Sequence, residues 1–182
     1  KWNDIKIVIE YGMLSEDKFF EKSESFALYP TVDGTYYTYD ELYNKIKAKQ
    51  TDKDDKLVIL YASSKDSQHS YIEAAKAKGY EVLLLDSPIV SHLIQKLEST
   101  KENISFVRVD SDHVDNLIKK EESTVSKLSD DEKKSLETVL KQVVPSEKFM
   151  VQLEVMDSNS APFMITQPEF MRRMKEMQQT GG

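Results

Sequence analysis

The sequence predicts an α/β fold built around a parallel sheet. Two apolar runs, at 57–61 and 82–85, lack polar alternation and are separated by a helical pattern at 70–78. Such runs are typical of parallel strands covered on both faces, and the helix between them completes a βαβ unit. A third segment, 104–109, alternates apolar and polar residues and is expected to be an edge strand. We therefore expect a small three-layer αβα unit with a parallel sheet.

Local sequence signals agree with these boundaries. Ser70 and Glu73 have the spacing of a capping box, and Gly79 suits the position just after a helix end. Ser87 followed by Pro88 places a cap before a first-turn proline, which predicts the start of the next helix.

The segment before the sheet is expected to be mainly helical. Residues 1–10 are compatible with a strand or with the end of a helix, whereas 11–29 have helical apolar spacing. Thr38 and Glu41 form a second capping box, which predicts a helix that begins there.

A charged run at 119–123 is the expected domain boundary. Beyond it, Ser129 and Glu132 form a third capping box. The helix that follows has an apolar stripe at i, i+3, i+4 and i+7, made by Leu136, Val139, Leu140 and Val143.

Two further strands are predicted at 149–155 and 161–166, joined by a turn at 157–160. The predicted organisation is a domain at 1–121, helical to residue 50 and Rossmann-like α/β over 51–121. A second, small α+β domain at 122–182 follows it.

Composition excludes several classes of function. The net charge of −7 argues against nucleic-acid and anionic-membrane partners, which favour clustered Lys and Arg. No apolar run approaches the roughly 20 residues that span a bilayer. The absence of cysteine removes disulfides and thiolate catalysis, and it fits a cytoplasmic protein.

Signals for cofactors, metals and catalysis are weak. The loop at 62–67 contains no glycine, although a dinucleotide site needs glycines at that place. The three histidines share no metal-ligand spacing and are expected to be surface or packing residues: His69, His92 and His113. We therefore expect no metal, no cofactor and no catalytic residue in this chain.

The one positive signal is near the C-terminus. Phe170, Met171, Met174 and Met177 lie at i, i+1, i+4 and i+7 of a predicted helix. Such a stripe usually faces a core. Methionine side chains, however, are favoured on surfaces that accept varied apolar partners. Both interpretations stay open at this point.

Three stretches are distinctive: YTYDEL at 37–42, LVILYA at 57–62 and, most specifically, AKGYEVLLL at 77–85 followed by Pro88-Ile89. They resemble the heat-shock protein 90 family, in its bacterial form. The later run Ala161-Pro162 with Met164-Ile165, before a Met-rich helix, is similar to the start of that family's C-terminal domain. The likeness covers essentially the whole chain and is strong to about Val109.

Some positions depart from the family pattern. Val90 and Ser91 stand where acidic residues are usual, Glu154 stands near a common Arg, and Gln167 lies near the place of a eukaryotic Trp.

The resemblance implies a fragment of an ATP-dependent, stress-response chaperone that assists folding of client proteins. ATP and magnesium would bind an N-terminal domain before Lys1, and the homodimer would form through helices beyond Gly182. Residues 1–121 would be the latter part of the middle domain, which couples domains. Family members contact clients through the Met-rich helix, which implies that role for Phe170, Met171, Met174 and Met177.

Two other functions stay open. One is a small α/β enzyme with its site near Ser63, Ser64 and Asp66, since α/β sites gather where parallel strands end. The other is a plain protein-interaction domain whose last helix is ordinary core. Burial of Met174 and Met177 within one chain would favour that second alternative.

Overall fold

The computed structural model describes residues 1–120, 126–156 and 161–180. The helices are α1 (Trp2–Ser15), α2 (Asp17–Ser23), α3 (Tyr39–Ile46), α4 (His69–Ala77), α5 (Val90–Thr100), α6 (Val114–Leu117), α7 (Asp130–Val143) and α8 (Glu169–Thr180). The strands are β1 (Tyr29–Pro30), β2 (Tyr36–Tyr37), β3 (Leu57–Ala62), β4 (Val82–Leu84) and β5 (Ile104–Arg108).

The predicted parallel sheet is confirmed. Its strand order is β4-β3-β5, and both pairings are parallel. Leu60 pairs with Val82 on one side and with Val107 on the other. Every residue of β3 is buried, which is why its sequence shows no polar alternation. The alternation expected for the third strand is also observed in β5.

Two hydrophobic cores cover the two faces of this sheet, so the αβα layering is confirmed. On one face, alternate β3 residues such as Ile59 and Tyr61 pack with apolar residues of α1, α2, α3 and α5. On the other face, Val58 and Leu60 pack with Ile72 of α4 and with side chains after β5. A single strand thus contributes to both cores, as its period of two requires.

Gly79 ends α4 in the way the sequence predicts. Its φ is +75°, a left-handed conformation that favours glycine. The Gly79 N–H donates to the Lys76 carbonyl at 2.8 Å, and the Tyr80 N–H donates to the Ala75 carbonyl at 3.1 Å. These two bonds form a Schellman motif, which satisfies carbonyls at the helix end.

The predicted helix starts are partly right. The capping boxes at Thr38 and Ser129 are confirmed, with reciprocal bonds to Glu41 and Glu132. The box predicted at Ser70 is wrong, because α4 begins one residue earlier, at His69. The start predicted at 87–88 is also early, since α5 begins at Val90 after Ile89.

At the N-terminus, the strand alternative for 1–10 is wrong. These residues lie within α1 apart from Lys1. The helical spacing expected over 11–29 is right only in part, because α2 ends at Ser23 and Tyr29 begins β1.

The chain forms two compact units. One joins Lys1–Lys120 with the segment that begins at Met164, and the other starts after Lys120 and ends at Phe163. The expected domain at 122–182 therefore differs from the contact pattern, because α8 packs with the sheet unit. The assignment of 122–182 to a separate domain stays a prediction.

Within the second unit, α7 carries its predicted apolar stripe at the surface. Leu136 is 42% exposed, Val139 58% and Val143 75%. The strands predicted at 149–155 and 161–166 are wrong in the described residues, which have no strand there. A strand needs a hydrogen-bonded neighbour, and the apolar alternation alone does not supply one. The turn predicted at 157–160 lies outside the described residues.

We expect Gly79→Ala to lower the free energy of unfolding by about 1 kcal/mol, because an L-residue at this φ is strained. The added Cβ would also approach Lys49 Nζ to 2.5 Å, which forces that flexible side chain aside. Urea unfolding measures the change. The control, Lys78→Ala, has a right-handed φ of −77° and removes a partly exposed ion pair with Asp115, so it should shift the midpoint less. Equal midpoints for wild type and Gly79→Ala would contradict the argument.

Candidate functional site on the C-terminal helix

Helix α8 turns its charged face, and not its apolar face, toward the sheet unit. Glu169, Arg172, Arg173 and Glu176 lie at i, i+3, i+4 and i+7 and contact residues of β3, α5 and β5. Arg172 is only 7% exposed. The polarity of this helix is therefore the reverse of an ordinary surface helix.

Arg172 lies at the centre of the contact. Its guanidinium pairs with Glu169, one turn before it, and donates two bonds to Glu176 at 2.7 and 2.8 Å. It also donates to the Tyr61 hydroxyl and lies 5.6 Å from the centre of that ring. Tyr61 in turn donates to Glu169 Oε1 at 3.0 Å. Tyr61, a side chain of β3, thus bonds to both Arg172 and Glu169 of α8.

Arg173 ties α8 to the edge of the sheet. Its guanidinium donates to both oxygens of Glu98 on α5, at 2.7 and 3.2 Å, and to the Phe106 carbonyl at 2.6 Å. It also pairs with Glu169 at 2.7 Å. The Arg108 N–H donates to the other oxygen of Glu169 at 3.0 Å. Backbone groups of β5 are therefore part of the network.

The network extends past the end of β5 to Asp110, and to Gln167 just before α8. The Arg108 guanidinium forms a two-point contact with Asp110 and donates to Gln167 Oε1 at 3.0 Å. The Gln167 N–H donates to the Asp110 carbonyl at 2.9 Å, which fixes the chain just before α8. Ser91 of α5 donates to Glu176, so the departure at Ser91 is part of the docking contact.

Protonation of the network follows from these contacts. Burial and the charge of Glu169 raise the pKa of Tyr61, which keeps its hydroxyl protonated. Burial alone would raise the pKa of Glu176, but hydrogen bonds from Ser91 and Arg172 and the charges of Arg172 and Arg108 outweigh it. The pKa of Glu176 therefore lies below its ordinary value of 4.5.

The four predicted site residues are brought together on the opposite side of α8. Phe170 is 70% exposed, Met171 66% and Met174 45%, while Met177 is half-buried. Ile165, just before the helix, is 64% exposed. The interpretation of α8 as ordinary core is therefore not supported. We call the surface of Ile165, Phe170, Met171 and Met174 the methionine face.

Sequence reasoning did not identify the charged face as a binding surface. Its signal was present, because Glu169, Arg172, Arg173 and Glu176 have the same helical spacing as an apolar stripe. Charges at this spacing are usually solvated, so the pattern alone does not reveal a buried contact.

The alternative enzyme site at Ser63, Ser64 and Asp66 gains no support from the geometry. The Gln68 side-chain oxygen accepts the N–H groups of Ser63 and Ser64, at 2.8 and 3.0 Å, and so closes the loop on itself. Two cavities of about 20 and 500 Å³ lie elsewhere, the first beside Glu10 and the second beside Lys101.

Among residues 1–120, 126–156 and 161–180, no three His, Asp or Glu side chains converge as a metal site. His69 starts α4 instead of lying in a loop, His92 lies on α5 as predicted, and His113 precedes α6. In the same residues, no helix combines the length and the apolar character needed to cross a membrane.

Comparison with known proteins finds close relatives. Chaperone protein HtpG of Bacteroides fragilis is 48% identical over 180 residues, which are 97% of this chain and 26% of that protein. HtpG of Bacteroides thetaiotaomicron is 47% identical, with the same coverage of both chains. HtpG of Porphyromonas gingivalis is 42% identical over 98% of this chain and 27% of that protein.

Two further comparisons are less informative. No family model matches the chain. Among solved structures, the middle domain of a Plasmodium falciparum putative heat shock protein is 17% identical and covers 56% of this chain and 43% of that one, with a TM-score of 0.42.

A parallel αβα unit in a sequence this close to those relatives places the chain in their class of proteins, which are named as chaperones. The chain belongs to the heat-shock protein 90 family, in its bacterial HtpG group. It spans about a quarter of the length of these relatives.

We expect Arg172→Ala to release α8 from the sheet unit. Removing one partner of a buried ion pair costs about 3 kcal/mol or more, because the remaining charges lose their compensation. Native-state hydrogen exchange should then show α8 amides exchanging about a hundredfold faster, since each 1.4 kcal/mol is a factor of ten. Lys175→Ala, on the exposed side of the same helix, is the control and should leave exchange unchanged. Unchanged exchange in Arg172→Ala would show that the network does not hold the helix.

We expect acid to weaken the docking of α8 through Glu176. Because the pKa of Glu176 is lowered on folding, its stabilisation is fully present above the ordinary value of 4.5 and is lost as pH falls through the lowered value. Glu176→Gln should therefore lose less α8 protection than wild type when pH falls below 4.5. Hydrogen exchange measures this, with the exposed Glu102→Gln as the control variant. Parallel acid profiles for wild type and Glu176→Gln would contradict the role of this carboxylate.

Proposed function

We propose that this chain is part of an ATP-dependent chaperone and that its methionine face binds partly unfolded client proteins. The observation that carries the proposal is the outward orientation of α8, which leaves Phe170, Met171 and Met174 exposed while charged residues face the sheet. A helix placed this way presents apolar surface that its own unit does not cover.

The chemistry of the face suits a binder of varied partners. Methionine is unbranched and polarisable, so it adapts to partners of different shape. Full burial of an apolar side chain yields about 1.5–3 kcal/mol, and association costs consume much of the sum over a few such residues. The expected result is weak, promiscuous binding, which allows a client to leave.

The sheet unit would act as a rigid support for this helix. The network around Arg172 and Arg173 connects α8 to β3, α5 and β5, so motion of the sheet would move the methionine face. We propose that ATP and magnesium bind, and that a homodimer forms, through parts of the parent protein outside this segment. The same proposal includes a cytoplasmic stress-response role, without nucleic-acid or membrane partners.

We expect substitution of Met171, Met174 and Met177 by Ser in the full-length chaperone to weaken client protection. Loss of about 1.4 kcal/mol of apolar contact already weakens binding about tenfold. The measurement is light scattering by a chemically denatured protein that aggregates on dilution, with the chaperone present.

The matched control is Ile5→Ser with Val8→Ser on α1, because these residues are 50% and 68% exposed on another helix of the same unit. The control variant should protect as wild type does. If the methionine variant stays folded by circular dichroism and protects equally well, the methionine face is not the client site.

A further inference from the structure

Strand β5 forms an edge of the sheet that no other strand covers in the described residues. The N–H and C=O of Phe106 and the N–H of Arg108 point away from β3. Side chains satisfy all three: Glu98 accepts from the Phe106 N–H at 2.7 Å, Arg173 donates to the Phe106 carbonyl at 2.6 Å, and Glu169 accepts from the Arg108 N–H at 3.0 Å.

The opposite edge is covered in a different way. The Val32 N–H donates to the Val82 carbonyl at 3.0 Å, and Thr31 forms an antiparallel bridge with Leu83. Backbone from before the sheet thus closes β4. The β4 edge is thus covered by backbone, whereas the β5 edge depends on side chains from two helices.

The side chains at the β5 edge reproduce what a strand would offer. In order along β5, these side chains present an acceptor, a donor and an acceptor. An added strand would supply the same three groups through a C=O, an N–H and a C=O. Arg173 and Glu169 belong to α8, while Glu98 belongs to α5 and has both oxygens bonded to Arg173. Release of α8 would therefore also remove the partner that holds Glu98 over the Phe106 N–H.

The contact that keeps α8 on this edge is made of charged groups. The desolvation of buried charges offsets much of their mutual attraction. Phe170 and Met171 are already 70% and 66% exposed on the docked helix, so their exposure does not require undocking. A helix held in this way is suited to reversible release.

We propose that the β5 edge is a second binding surface, which takes an extended segment of an unfolded protein by strand addition when α8 is released. Unfolded chains carry unpaired backbone groups, so they provide the required acceptors and donors regardless of side-chain sequence. The proposal rests on the proposed function only in taking an unfolded protein as the partner.

The test compares a closed and an open edge in the full-length chaperone. The open form is Glu169→Ala with Arg173→Ala. The closed form carries Ser91→Cys and Glu176→Cys joined by a short thiol cross-linker, since these two side chains are in contact. The probe is a fluorescein-labelled peptide of alternating Val and Thr with Lys at both ends. We expect about tenfold tighter binding to the open form than to the closed form, and slower hydrogen exchange at the Phe106 and Arg108 amides.

Equal binding to both forms, protection at the methionine face alone, or self-association through β5 without peptide would overturn the proposal. Should the alanine variant unfold, Arg173→Gln alone serves as the open form, because it removes the charge that pairs with Glu98 and Glu169. Adding the three Met→Ser substitutions to the open form separates the two surfaces. In this combined variant, peptide binding at β5 should persist, whether or not the methionine face protects clients.

Discussion

The organisation of this segment depends on the contact between an unpaired sheet edge and the charged face of one helix. Backbone groups of a strand need partners when they are shielded from water, and in the described part of the chain β5 has no neighbouring strand on its outer side. Glu169 and Arg173 provide these partners, and Arg172 binds Tyr61 from the interior of the sheet. Satisfying the edge with charged side chains therefore fixes which face of α8 is turned inward.

The outward methionine face follows from that choice. Apolar and charged residues occupy opposite sides of α8, so a helix that turns Arg172 and Glu176 toward the sheet must expose Met171 and Met174. A folded protein ordinarily avoids such exposure, because contiguous apolar surface promotes association. In the function proposed above, the same exposure would provide the binding surface. The charged contact would then give the orientation, and the apolar face the affinity.

The sequence predicts local features well and long-range contacts poorly. Strand β3 was recognisable because burial on both faces requires a continuous apolar run. The helix end at Gly79 was recognisable because a position with positive φ favours glycine. The strands expected at 149–155 and 161–166 failed because alternation describes a face and does not guarantee a pairing partner. The sheet partners of Arg172 and Arg173, Tyr61 and Phe106, lie 111 and 67 residues away along the chain, and no local signal predicts them.

Because α8 carries the methionine face and covers the β5 edge, the two proposed surfaces would be energetically dependent on each other. If docked α8 covers β5, a ligand that binds the β5 edge shifts the equilibrium toward released α8. The size of the shift is set by the free energy of that binding. Reciprocity then requires that a client which prefers the released helix also opens the edge by the same factor. A client that binds docked and released α8 equally well would leave the edge unchanged. The charged residues under α8, and not the methionines, would therefore set how strongly the two surfaces are coupled.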